Sequence, residues 1–162
     1  MSDQQIDEQD EVILNALQQD ARNLSSGDIS ERADLSSSAV RKRIKHMEEA
    51  SVIKGYSAHI DYQKAGYPIR MILFATAPIP ERGDLVETIL DIQGVVSVQE
   101  LITGDENLLI TVVGKQDSDI TPVAEKLMDM GLTITDEVLV RKQKTAPFAG
   151  FLEDASEQRA NE

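Results

Sequence analysis

The sequence predicts an α+β protein built in two parts: an N-terminal helix-turn-helix domain and a β-α-β-β-α-β, ferredoxin-like domain. Three observations lead there. Before residue 51, apolar residues recur at helical spacing through three short segments, the last of them basic. Beyond residue 68, apolar β-rich runs alternate with two further helical stripes. Between them lies KAGYP, whose Gly66 and Pro68 interrupt regular structure. The expected organisation is residues 1–63 for the helix-turn-helix domain with a connecting strand, 64–68 for a hinge, 69–145 for the second domain and 146–162 for a polar C-terminal tail, frayed after Leu152.

Taken in order, IDEQDEVILNALQQDAR offers Asp7 or Asp10 as a helix cap, with Ile13, Leu14 and Leu17 on one face. SGDISERA predicts a second short helix, capped by Ser26, with Ile29 and Ala33 facing inward. The break after it is only Asp34-Leu35, and Ser36 opens a third helix reaching about Ala50. VIKGYSAHIDY then reads as a strand, with Gly55 in a turn near its start. In the second part IRMILFATA is the first strand, and ERGDLVETILDIQ a helix with Leu85, Val86, Ile89, Leu90 and Ile92 inward. VVSVQELIT and LLITVVG are strands joined through GDEN at 104–107. DITPVAEKLMDMG is a helix burying Ile120, Val123, Ala124, Leu127 and Met128, and LTITDEVLVRK closes the sheet. Helices on one face of a four-stranded sheet leave the other face to be covered, so a homodimer is expected, with tetramers or octamers as larger assemblies.

Composition narrows the function. Without cysteine, disulfides, thiolate zinc sites and cysteine nucleophiles are excluded, and His46 and His59 alone do not make a histidine-rich metal site. No metal, cofactor or catalytic residue is expected. The acidic start MSDQQIDEQDE does not resemble a presequence, and no apolar run is long enough for a membrane helix, so a cytoplasmic protein is expected. The net charge of -13 has two readings: a well-solvated surface, or adaptation to a very saline cytoplasm of the halophilic kind.

Against that acidity, SSSAVRKRIKH at 36–46 places Arg41, Lys42, Arg43 and Lys45 in five positions, with no acid between Asp34 and Glu48. At about 100° per residue, Val40, Ile44 and Met47 form the buried stripe, and Ser38, Arg41, Lys42 and Lys45 point away from it. Arg43 lies beside the core stripe and Ser37 on its other flank. A charged helix face is often merely solvated. Here it belongs to the second helix of a short-turn pair, where a DNA reader carries its recognition helix. Arg and Lys reach phosphates, Arg reads guanine edges, and Ser donates to either, so double-stranded DNA is the expected partner.

The first half also resembles the Lrp/AsnC (feast/famine) transcriptional regulators, a resemblance compatible with an archaeal, haloarchaeal source. Ser36, Val40, Arg43, Ile44, Glu48, Val52, Ile53, Gly55 and Tyr56 match that family's pattern, while Met47 stands where it favours Leu and Ser51 where it favours Gly. The resemblance implies a winged-type helix-turn-helix followed by a RAM/Lrp-type domain, and transcription regulation through sequence-specific DNA binding. It implies DNA contacts from Ser36, Ser37, Ser38, Arg41, Lys42, Arg43 and Lys45, Arg43 being equally placed for a phosphate or for a structural ion pair. It further implies a small effector, an amino acid, held by Gly104, Asp105 and Asn107 of the GDEN turn with hydroxyls from Thr133 and Thr135. The same GDEN residues suit an ordinary tight turn. Two alternatives stand beside this reading: a siroheme-decarboxylase-like enzyme of the same fold, and a metabolite sensor that does not bind DNA.

Overall fold

The computed structural model describes residues 6–77, 82–102 and 104–147, with the side chains of 82–84 outside that description. Packing divides the chain into one unit of residues 1–58 together with 144–162 and a second of residues 59–143.

The first unit holds α1 (Glu8–Asp20), α2 (Ser26–Ala33) and α3 (Ser37–Glu49). Each helix starts on a side-chain cap that satisfies backbone N–H groups left free at its first turn. At α1, Asp7 accepts from the Asp10 N–H at 2.9 Å while Asp10 accepts from the Asp7 N–H at 3.3 Å. At α2 the cap is Ser25 and not the expected Ser26, because Ser25 and Asp28 alone have the spacing for a reciprocal capping box. At α3, Ser36 Oγ accepts from the Ala39 N–H, as expected. Asp34, with φ of 51°, turns the chain between α2 and α3. Ile13 and Ala16 of α1, Ile29 and Ala33 of α2, and Val40 and Met47 of α3 make one small core, with Ile44 packed against it.

The end of α3 has the hydrogen bonds of a Schellman motif: the Val52 N–H donates to Met47 O at 2.9 Å and the Ser51 N–H to Glu48 O at 3.0 Å. Ser51 therefore takes a left-handed conformation, φ 58°. The strand expected over VIKGYSAHIDY does not form; residues 54–61 run without ladder partners. Its β-branched and aromatic composition suits a strand, but a strand exists only beside another, and this segment pairs with none among the described residues.

In the second unit, residues 62–66 form a turn ending at Gly66 (φ 92°), inside the segment expected as a hinge. The sheet comprises β1 (Ile69–Thr76), β2 (Val95–Glu100), β3 (Leu108–Gly114) and β4 (Thr133–Leu139), all antiparallel in the order β2-β3-β1-β4. Helices α4 (Arg82–Leu90) and α5 (Thr121–Asp129) complete the expected β-α-β-β-α-β order. Leu73, Ala75, Leu108, Ile110 and Val112 alternate toward one face, where Ile89, Ile120, Val123 and Leu127 cover them. Leu90 and Met128, expected inward, are 41% and 52% exposed. Each lies about 100° around its helix from a fully buried neighbour, Ile89 or Leu127, and a helix lying on a sheet buries a narrower stripe than the sequence suggested. On the opposite face the register sets Ile72 beside Thr111 and Val138, and Phe74 beside Leu109 and Asp136.

Candidate nucleic-acid interface

Helix α3 owes its orientation within the first unit to two contacts. The first is apolar: Val40 and Met47 are fully buried, which commits the opposite side of the helix to solvent. Ser38, Arg41, Lys42 and Lys45 are all exposed on that side. Lys45 meets Glu49 one turn later at 3.6 Å, a surface pair weak enough to open for a phosphate. Among the described residues, Arg41 and Lys42 have no acidic partner. Ser36 is the helix cap and exchanges a hydrogen bond with Ser38 Oγ at 3.0 Å, and Ser37 is half-buried.

The second contact is ionic. Arg43 Nη1 donates to Asp7 Oδ2 and to Asp10 Oδ1, both at 2.8 Å, and Nη2 donates to Gln9 Oε1 at 2.8 Å. Of the two uses open to Arg43, the geometry gives it the structural ion pair. These bonds tie α3 to the cap and first turn of α1. The Asp10 N–H, and then the Arg43 guanidinium, hold the Asp7 carboxyl below its ordinary value. The hydrogen bonds that Arg43 donates to Asp10 and Asp7 raise its already high pKa further. An open cavity of about 280 Å³, lined by Asp10, Ala39, Lys42, Arg43, His46 and Met47, lies beside this tie. The ion pair adds to the apolar contacts that the same two helices make in the core. The sequence singled out Asp7 and Asp10 only as caps and did not show Gln9. Behind α3, the Tyr56 hydroxyl donates to Glu48 Oε1 at 2.9 Å.

In the second unit the residues expected to hold an effector do come to one end of the sheet. Gly104 (φ 112°) and Asp105 form an exposed turn, whose Asp105 carbonyl accepts from Thr76 Oγ1 at 2.9 Å. Thr133 is exposed and pairs with Thr76 across the β1–β4 ladder. Thr135 Oγ1 donates to Phe74 O at 3.2 Å and lies 3.4 Å from Glu106 Oε1. Asn107 departs from the expectation. Only 8% exposed, it accepts from the Ala77 N–H at 2.8 Å and donates to Ala77 O at 2.7 Å, so its amide closes the protein's own backbone. Sequence reasoning missed Thr76, which reaches this corner through the β1–β4 register.

Residues 6–54 match the family model described as winged helix-turn-helix DNA-binding. Over 147 residues the chain is 35% identical to the HTH-type transcriptional regulator LrpA1 of Halobacterium salinarum, covering 90% of this chain and 94% of that one. It is 31% identical over 136 residues to the regulator LysM of Sulfurisphaera tokodaii, 83% of this chain and 94% of that one. Among solved structures, B. subtilis LrpC superposes with a TM-score of 0.72 at 19% identity, over 87% of this chain and 98% of that one. The leucine response regulatory protein of Mycobacterium tuberculosis does so at 0.70 and 22%, over 86% and 95%. Both have the same fold. No helix among the described residues is long and apolar enough to cross a membrane. With the helix-turn-helix, its outward cations and relatives that match it nearly end to end, the chain belongs to the Lrp/AsnC family and is a DNA-binding transcriptional regulator.

Proposed function

We propose that α3 is the recognition helix of a sequence-specific regulator that acts in the cytoplasm as an oligomer, by binding and not by catalysis. The carrying observation is the exposed stripe of Ser38, Arg41, Lys42 and Lys45, opposite the buried Val40 and Met47. Lys42 and Lys45 neutralise phosphates, while Arg41 and the serines Ser37 and Ser38 are placed for base edges or phosphates. Oligomer formation is supported by the sheet face left without helices, where Ile72, Phe74, Leu109 and Val138 form an apolar patch beside Thr111. At the end of the sheet, Gly104, Asp105, Thr133 and Thr135 are offered to a small amino-acid effector, the turn's N–H groups suiting a carboxylate and Asp105 an ammonium group. The test is fluorescence anisotropy with a duplex that the protein itself selects from a randomised pool, titrated at several salt concentrations. Lys42→Ala with Lys45→Ala should weaken binding and flatten the log–log salt dependence by about 0.9 per lost phosphate contact. Unchanged affinity and slope would refute α3 as the recognition helix.

A further inference from the structure

We infer that Arg43 is a positioning residue for DNA binding: by clasping the N-terminal cap of α1, it fixes the attitude at which α3 is presented, and it neutralises no phosphate itself. The inference rests on α3 being the recognition helix. Its three acceptors, Asp7 Oδ2, Asp10 Oδ1 and Gln9 Oε1, all lie at 2.8 Å and all belong to the cap and first turn of α1. They are themselves held, because Asp7 and Asp10 cross-bond each other's backbone N–H groups. A planar guanidinium engaging acceptors on a capped helix end makes a joint with direction, which a flexible ammonium does not reproduce. The joint is also sheltered, the side chain of Asp10 being 10% and that of Arg43 30% exposed. The apolar cluster of Ile13, Ala16, Val40 and Met47 holds the two helices together without direction, and the clasp, beside an open cavity, is the directional contact that resists rotation of α3 against α1. Such a rotation would carry Arg41, Lys42 and Lys45 with it, since all are on the same rigid helix.

This assignment makes a prediction of opposite sign to simple electrostatics. Asp10 is a negative charge close to a surface that must meet phosphates, so on charge alone its removal should tighten DNA binding. If it anchors Arg43, its removal should loosen binding to the selected sequence. The experiment uses the full chain, confirmed as folded by its thermal transition, on the selected duplex and on an unrelated one. Asp10→Asn keeps the shape and an oxygen for the Asp7 N–H, and Arg43→Lys keeps the charge. Both should weaken binding to the selected duplex about fivefold or more, the lower end of ordinary coupling between sites. Neither should weaken binding to the unrelated duplex or change the salt slope. Equal or tighter selected binding by Asp10→Asn would overturn the proposal. So would a slope flattened by about 0.9 in Arg43→Gln, which would assign Arg43 to a phosphate. Failure of α3 as recognition helix is read separately, from the Lys42 and Lys45 substitutions.

Discussion

Replacing Ser51 by Gly should stabilise the helix-turn-helix unit, and the size of the effect follows from its backbone. Ser51 sits at the position after the α3 cap with φ 58°, held there by its own N–H on Glu48 O and by the Val52 N–H on Met47 O. The left-handed conformation costs a residue with a Cβ about 1–2 kcal/mol. Glycine removes that strain but has more unfolded-state freedom to lose, about 0.5–1 kcal/mol. The difference is a net gain of about 0.5–1 kcal/mol. The protein contains its own control: α5 ends in the same pair of bonds, Leu132 N–H to Leu127 O and Gly131 N–H to Met128 O, and there Gly131 (φ 87°) fills the position. At about 4–8 °C per kcal/mol for a unit of this size, the melting midpoint should rise by roughly 2–8 °C. Scanning calorimetry of the full chain measures the shift, and hydrogen exchange at the Val52 and Ile53 amides locates it. Ser51→Val should move the midpoint the other way, because a β-branched side chain tolerates this conformation least. An unchanged or lowered midpoint in Ser51→Gly would show that the strain is not there to be relieved.

Two further outcomes are expected. Burial of its hydroxyl, and then its hydrogen bond to Glu48, push the Tyr56 pKa up to about 12. Because the folded value is raised, the contribution to stability is complete below the ordinary tyrosine value near 10 and is lost as pH climbs toward 12. An ultraviolet absorbance titration should show a late ionisation that vanishes in Tyr56→Phe and moves earlier in Glu48→Gln; a titration unchanged by Tyr56→Phe at its late end would contradict this. In the second unit, Asn107→Ala leaves the N–H and C=O of buried Ala77 without their partner and should cost about 2–4 kcal/mol in denaturant unfolding. A loss below about 1 kcal/mol would mean that water replaces the amide.

How far the sequence could be read depended on how local each feature is. The orientation of α3 was legible because spacing and charge sign within one helix decide it, and Val40 and Met47 are buried where the period puts them. The left-handed position at Ser51 was marked differently, by the resemblance, since the family favours Gly there. What escaped notice was long-range. Arg43 meets partners 33 to 36 residues away, so the sequence could place it beside the core but could not choose between a phosphate and an ion pair. Asn107 looked like a turn residue, as its neighbours are, until the β1–β3 ladder set it against Ala77, 30 residues away. The strand expected after α3 failed for a related reason: propensity describes a residue's fitness for a sheet, and the sheet itself must be supplied from elsewhere.

The acidity of the chain acquires a use once these contacts are separated. On the proposed reading, if Arg41, Lys42 and Lys45 each met one phosphate, the salt slope would be about −2.7 per subunit, and a tenfold rise in salt would lower affinity roughly 500-fold. Phosphate contacts alone are therefore a poor basis for recognition in a saline cytoplasm. Raising salt also shortens the range of the acidic surface's repulsion, from about 10 Å at 0.1 M to about 3 Å at 1 M. What survives is what depends on close fit: base contacts, DNA shape and paired half-sites read together by an oligomer. Close fit requires that α3 not rotate on its support. The partly buried pair of Arg43 with Asp10 is screened far less than the exposed pair of Lys45 with Glu49, so salt that weakens the phosphate contacts leaves the helix in place. Selectivity for the selected duplex over an unrelated one should then be retained, or rise, as salt increases, while absolute affinity falls. A selectivity ratio falling in step with affinity would show that the stripe binds as charge alone.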